Sequence, residues 1–95
     1  MKHTFEESLK YFHDKDYEIT IENDRFINFK SGACYYCDFY FDLELGTFTS
    51  NIGDESFEDV YHACNIVMRF VDDFIKRCDT IFPGYVKRIA VDYDS

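Results

Sequence analysis

An alternation of apolar and polar side chains over residues 34–45 constrains the fold of this chain more than any other feature of its sequence. The odd positions are apolar: Tyr35, Cys37, Phe39, Phe41, Leu43 and Leu45. The even positions carry mainly tyrosine and carboxylates: Cys34, Tyr36, Asp38, Tyr40, Asp42 and Glu44. Successive side chains of a strand point to opposite faces of a sheet. The pattern therefore predicts a β-strand with one buried face, which includes Phe39 and Phe41, and one exposed face.

Two hairpins are predicted around this strand. Residues 42–46 have the composition of a type I turn in which Gly46 takes a left-handed conformation, and residues 47–50 form the return strand. Residues 17–22 and 25–30 alternate in the same way and predict the other hairpin.

The loop of that other hairpin can be placed in two ways. A two-residue loop would pair Ile21 with Phe26 and divide the apolar side chains between the two faces. We prefer a three-residue loop over residues 22–24, which pairs Ile19 with Ile27 and gathers more apolar area on one side. Asparagine or aspartate in this loop, Asn23 or Asp24, is expected to take the left-handed position.

Two helices are predicted from capping residues and helical spacing. Thr4 and Glu7 form a capping box that begins a short helix over residues 5–14. Ser56 is a suitable N-cap, and apolar residues then keep helical spacing as far as Cys78, which predicts one long helix that packs across the sheet.

Two further segments extend this arrangement. A second apolar strip on the long helix is expected either to be covered by the rest of the chain or to form an interface; it consists of Ala63, Ile66 and Phe70. Residues 85–93 predict a C-terminal strand with Ile89, Val91 and Tyr93 on one face. The expected fold is a single α+β domain over residues 1–95, with an antiparallel sheet of three to five strands.

The charge is strongly negative and unevenly distributed. The chain has 19 acidic and 10 basic residues, a net charge of −9, and no lysine or arginine between Ser31 and Met68. That charge disfavours direct binding of nucleic acid or an anionic membrane and favours a basic partner. It also has a simpler interpretation, as surface charge that keeps a small protein soluble.

No pattern of catalytic or metal-binding residues stands out. Cys34 and Cys37 have the spacing of half a zinc site, but Cys64 and Cys78 are too far apart to supply the other half. We expect reduced, buried thiols without a disulfide, no metal and no cofactor. The chain has no glycine-rich phosphate loop, and its three histidines are scattered, with His62 expected to face solvent. We therefore expect a protein that is not an enzyme.

Signals for membrane insertion or export are also missing from the sequence. No run approaches eighteen apolar residues, and the N-terminal residues lack the apolar core of a secretory signal. A cytoplasmic protein is expected.

The order of elements and the acidity together resemble a known family. The step Asp14-Lys15-Asp16-Tyr17 joins the first helix to the first strand, and residues 56–79 occupy the later helical place. This arrangement resembles the small anti-CRISPR proteins that phages encode, above all those that block the RNA-guided nuclease of type II systems. The present chain departs from them in its return strand at residues 47–50, its C-terminal strand and its four cysteines.

The resemblance implies a protein inhibitor that occupies the basic nucleic-acid channel of a CRISPR effector nuclease in place of DNA, inside the host bacterial cell. Carboxylates would replace phosphates, and tyrosine rings would stack on arginine or replace bases. The expected partner-binding residues are Tyr36, Asp38, Tyr40, Asp42, Glu44, Asp54, Glu55, Glu58 and Asp59. The alternative is a cytosolic immunity protein or antitoxin that neutralises a basic toxin through the same electrostatics.

Overall fold

The fold is α+β, as expected, with a short N-terminal helix, a five-stranded sheet, later helices and a C-terminal strand. The computed structural model describes residues 3–32, 37–51, 55–65 and 70–92. The elements in chain order are α1 (Phe5–Asp14), β1 (Tyr17–Glu22), β2 (Phe26–Ser31), β3 (Phe39–Asp42), β4 (Thr47–Ser50), α2 (Glu55–Asn65), α3 (Val71–Ile81) and β5 (Val86–Ile89).

The capping box at the start of α1 is confirmed. The Thr4 hydroxyl accepts a hydrogen bond from the Glu7 backbone N–H at 3.1 Å and lies 3.2 Å from the Glu7 carboxylate. These hydrogen bonds satisfy polar groups in the first turn of the helix and so fix its start. The apolar stripe that follows, Phe5, Leu9 and Phe12, is buried against the sheet.

The β1–β2 hairpin has a three-residue loop, but one residue later than predicted. Glu22 pairs with Phe26, so Ile19 lies opposite Phe29 and not opposite Ile27. This register places Ile21 opposite Ile27 and Ile19 opposite Phe29, so the fully buried apolar side chains of β1 each have an apolar partner on β2, whereas Tyr17 lies opposite Ser31. Both Asn23 and Asp24 take the left-handed conformation, with φ of 53° and 55°.

The strand order is β4-β3-β2-β1-β5, and the sheet is mixed because β5 runs parallel to β1. The expectation of an antiparallel sheet is therefore wrong for this strand. The physical reason is the path of α3, which begins beside the β1–β2 turn and ends near the start of β1, where the Tyr85 hydroxyl donates to the Tyr17 carbonyl. The chain then enters β5 from the same end of the sheet as β1.

The C-terminal strand is also shorter than predicted. It ends at Ile89, which is exposed, and the buried side chain of the strand is that of Val86. Val91 lies beyond the strand, where its N–H donates to the Asn23 side chain at 2.8 Å. Tyr93 lies outside the described residues.

The predicted long helix is two helices. α2 begins at Glu55, one residue before the predicted cap at Ser56, and Phe70 has non-helical backbone angles directly before α3. A straight helix over residues 56–79 would be about 36 Å long, whereas strands of four to six residues span about 13–20 Å. Dividing the helix keeps both halves over one face of the sheet.

The second apolar strip of the predicted helix is divided by the same break. Ala63 is half-buried and packs against the core, whereas Phe70 is exposed. Ile66 lies outside the described residues. His62 faces solvent, as predicted.

Aromatic rings form the centre of the core. Phe39 and Phe41 are fully buried, as predicted. Phe39 stacks on Phe29 with ring centroids 4.5 Å apart, and Phe41 stacks on Tyr61 of α2 at 5.4 Å. The residues of α2 and α3 that close this core are Val60, Cys64, Phe74 and Cys78. All three helices therefore cover the same face of the sheet.

Two of the cysteines belong to this core. Cys64 and Cys78 are buried, in agreement with the prediction of buried structural thiols. Burial raises the pKa of Cys64 well above its ordinary value and raises the pKa of Cys78 to about 12. Both thiols are consequently neutral in the folded protein at physiological pH.

Replacing Phe41 by alanine should destabilise the fold by about 3–5 kcal/mol, because it leaves a cavity among stacked rings. The matched control is Phe70→Ala, which removes the same side chain from an exposed position and should change the free energy of unfolding by about 0.5 kcal/mol or less. Urea unfolding followed by circular dichroism measures both. Similar decreases of the free energy of unfolding in the two variants would contradict the burial of Phe41 in the core.

The stability of the protein should decrease as the pH rises from 9 towards 12. In this range the thiol of Cys78 ionises in the unfolded chain but keeps its proton in the folded one, so that the folded state binds more protons. Urea midpoints across this range should decrease less steeply for Cys78→Ala than for the wild type. Identical slopes would show that Cys78 is not buried as described.

Candidate protein-binding surface

A β-bulge at the start of β3 changes the alternation that the sequence predicts. Phe29 pairs with Phe39, yet its carbonyl also accepts a hydrogen bond from the Asp38 N–H at 2.8 Å. Two residues of one strand therefore oppose a single residue of its neighbour. Before the bulge the alternation shifts by one position, and Cys37 lies with Tyr40 on the open face of the sheet, not with Phe39 as predicted.

The bulge also removes Asp38 from the predicted binding surface. Its side chain turns inwards and accepts a hydrogen bond from the Ser31 N–H at 2.8 Å, and the residue is only 7% exposed. The prediction that Asp38 is part of an exposed strip is therefore wrong. The carboxylate instead satisfies the backbone at the end of β2.

Asp42 is also buried, and its carboxylate is bound within the fold. It is 5% exposed, and its two oxygens accept hydrogen bonds from Nε and Nη2 of Arg25 at 3.1 and 3.0 Å. One of these oxygens also accepts from the N–H groups of Glu44 and Leu45. The predicted turn with a left-handed Gly46 is confirmed, but the prediction that Asp42 is exposed is wrong.

The arginine contact also affects the acidity of Asp42. Hydrogen bonds from the Arg25 guanidinium hold the pKa of this carboxyl below its usual range. Asp42 is thus a charged anchor between two turns of the sheet.

The other predicted binding residues are distributed over different parts of the fold. Tyr40 is half-buried on the open sheet face, Glu44 is exposed on the β3–β4 turn, and Glu58 is exposed on α2. Asp59 is half-buried beside His3, with 3.4 Å between Asp59 Oδ2 and His3 Nε2. Tyr36 and Asp54 lie outside the described residues, as does the side chain of Glu55. The described members do not form one continuous acidic strip.

Three chain segments meet instead at one end of the sheet, which we call the loop end. They are the β1–β2 turn at residues 23–25, the β3–β4 turn at residues 43–46, and residues 70–73 at the start of α3. They enclose an open depression of about 870 Å³ whose lining includes Leu43, Glu44 and Val71.

Two arginines hold the loop end together, and each bridges two carboxylates. Arg25 binds Asp42 and also Glu44, at 3.1 Å. Arg88 binds Asp24 of the β1–β2 turn and Asp72 of α3, the latter at 3.0 Å. These two acidic contacts raise the pKa of Arg88. These ion pairs therefore link the three segments in the unbound protein.

The loop end exposes both negative charge and apolar area. The side chains of Glu44 and Asp72 are 68% and 85% exposed. Leu45 and Phe70 are the most exposed large apolar side chains in the described part of the chain. The prediction that placed Leu45 on the buried face is wrong, because the turn that follows Asp42 carries Leu45 outwards. Exposed apolar side chains bordered by charge are typical of protein-binding surfaces.

Sequence analysis identified only part of this surface. Glu44 is among the predicted partner-binding residues, and Phe70 belongs to the apolar strip for which an interface is one of the two expectations. Asp24 and Asp72 are not predicted by either argument. Arg88 and Asp24 are 64 positions apart in sequence, so only the parallel placement of β5 beside β1 brings them together. The one signal in the local sequence is the pair of turn residues Asn23 and Asp24. This pair indicates an exposed turn, but it does not indicate which segments lie beside that turn.

Within residues 3–32, 37–51, 55–65 and 70–92, no cluster of three or more histidine, cysteine, aspartate or glutamate side chains is arranged to hold a metal ion. None of the helices in this described part is long and apolar enough to span a membrane.

The variant Asp42→Asn should be less stable than the wild type at pH 7, and the difference should shrink as the pH falls. The lowered pKa means that the stabilisation by Asp42 is complete above its ordinary pKa of 3.8 and is lost as the pH falls through the folded-state value. Thermal unfolding from about pH 7 to about pH 2 measures this difference. The control is Asp73→Asn, which removes an exposed carboxylate from the first turn of α3. A pH-independent difference for Asp42→Asn would contradict the ion pair.

Compared with protein-family models, with curated proteins and with solved structures, the chain matches none of them.

Proposed function

We propose that this chain is a small acidic protein inhibitor that binds a basic surface of a nucleic-acid-binding protein through its loop end. The observation that carries the proposal is the combination, at one end of the sheet, of exposed carboxylates with the exposed side chains of Leu45 and Phe70. A partner with an apolar contact flanked by lysine or arginine would fit this combination.

The charge of the loop end supports a basic partner. The loop-end segments, together with Asp42 and Arg88 that pair with them, carry five carboxylates and two guanidinium groups, a surplus of three negative charges; the carboxylates are Asp24, Asp42, Glu44, Asp72 and Asp73. The net charge of −9 on the whole chain adds long-range attraction to a basic surface. Such attraction accelerates association and weakens as salt screens it.

Rigidity supports the proposal as well. A partner's arginine or lysine would meet carboxylates that Arg25 and Arg88 already contact, which reduces the conformational entropy lost on binding. The same arginines compete for those carboxylates. Specificity would then come from the apolar contacts as much as from charge.

The resemblance to phage anti-CRISPR proteins identifies the first target to test, the nucleic-acid channel of a type II RNA-guided nuclease. The immunity-protein alternative would use the same loop end against a basic toxin. Competition with nucleic acid separates the two, because an inhibitor that occupies the channel excludes DNA from it.

The experiment measures binding of guide-loaded type II nucleases to the immobilised chain by surface plasmon resonance, with and without target DNA. We expect binding that DNA prevents. Affinity should decrease markedly between about 0.1 M and about 1 M salt, where the Debye length shortens from about 10 Å to about 3 Å.

Charge reversal locates the contact. Glu44→Lys combined with Asp72→Lys should weaken binding by about tenfold or more. The matched control is Glu6→Lys with Asp14→Lys, which makes the same change in net charge on α1 and also replaces one acid in the first turn of a helix. Equal losses of affinity in both double variants would show that binding depends only on the net charge of the chain. Simultaneous binding of DNA and this chain would overturn the proposed inhibition of nucleic-acid binding.

A further inference from the structure

The sheet face that the helices leave uncovered contains a second recessed surface. A depression of about 520 Å³ opens there, which we call the sheet-face depression. Its lining comes from three adjacent strands and the residue before the bulge: Glu18, Thr20, Glu22, Phe26, Asn28, Lys30, Cys37 and Tyr40. Phe26 lines both this depression and the one at the loop end, whereas the other lining residues belong to this depression alone.

Aromatic rings form one side of this depression. Phe26 and Tyr40 pack edge to face with their centroids 5.7 Å apart, and both are only half-buried. The Arg25 guanidinium already lies 4.8 Å from the Phe26 centroid, which is within the range of cation–π attraction. Phe26 thus already packs against one guanidinium, and the neighbouring Tyr40 offers a second aromatic ring of the kind that attracts such a group.

Hydrogen-bond acceptors form the other side. Glu18 and Glu22 lie on the same face of β1, with Thr20 between them. The Asn28 amide donates to Oε2 of Glu22 at 3.3 Å, which orients that carboxylate within the depression. Two carboxylates outnumber the single ammonium of the lining, that of Lys30.

We propose that the sheet-face depression binds an arginine side chain of a protein partner. A guanidinium is flat, stacks on aromatic rings and donates several hydrogen bonds in one plane, which matches a site with rings on one side and carboxylates on the other. A lysine ammonium has the charge but lacks the flat stacking surface. The inference deepens the proposed function, since it assigns an arginine of a basic partner to a second contact beside the loop end.

The probe is the blocked tripeptide acetyl-Gly-Arg-Gly-amide, titrated into the ¹⁵N-labelled protein and followed by NMR. We expect saturable shifts at Thr20, Asn28 and Tyr40, with a Kd of about 1–10 mM for a single side chain. The lysine peptide should bind about fivefold more weakly, and the citrulline peptide, a neutral isostere, more weakly still. Equal binding of the arginine and lysine peptides, or shifts confined to other surfaces, would overturn the inference.

Variants separate the ring contact from the charge. Tyr40→Leu leaves the net charge unchanged and should weaken the arginine peptide about fivefold, whereas Tyr40→Phe keeps the ring and should retain the affinity. Glu22→Gln should also reduce affinity. The dispersion of the amide spectrum checks that each variant is folded, and an unchanged affinity in folded Tyr40→Leu would contradict stacking.

Two further measurements distinguish this inference from the proposed function. The loop-end variant Glu44→Lys with Asp72→Lys should leave binding of the peptide at Thr20 and Asn28 intact. If this peptide fails to bind while the nuclease still binds through the loop end, only the present inference fails. A short single-stranded oligonucleotide should not bind. Shifts at Tyr40 and Phe26 with the oligonucleotide but not with the peptide would show that the depression binds a nucleobase and not an arginine side chain.

Discussion

The bidentate ion pair between Arg25 and Asp42 is the contact on which the loop end depends. It ties the β1–β2 turn to the β3–β4 turn, and the same carboxylate accepts the N–H groups that shape the second turn. Because Asp42 is almost completely buried, its charge requires the guanidinium and the turn amides that surround it. The outward direction of Glu44 and Leu45 follows from the turn that this carboxylate organises.

The carboxylates of the chain therefore have two separate roles. Asp38 and Asp42 satisfy backbone groups and an arginine inside the sheet, so they are unavailable to a partner. Asp24, Glu44 and Asp72 carry charge outwards beside exposed apolar side chains. An acidic sequence is thus a poor guide to an acidic surface, because some carboxylates are needed to build the fold that presents the others.

Local patterns predicted most of the secondary structure. The capping box at Thr4 and the alternation that buries Phe39 and Phe41 depend on neighbouring residues alone. The bulge at Asp38 does not, since it arises where the Asp38 N–H bonds to the carbonyl of Phe29, the residue that pairs with Phe39 on the neighbouring strand. The non-helical backbone of Phe70 is not predicted either, because the apolar residues keep helical spacing through this position. The loop end requires contacts between residues up to 64 positions apart, which no short motif encodes.

Hydrogen–deuterium exchange on the chain bound to a guide-loaded type II nuclease tests the central claim most directly, because it locates the contact without altering any residue. We predict that binding slows exchange at residues 23–25, 43–46 and 70–73 and leaves the exposed face of α1 unchanged. Slower exchange confined to α1 and to the part of α2 around Glu58, with the three loop-end segments unaffected, would contradict the account.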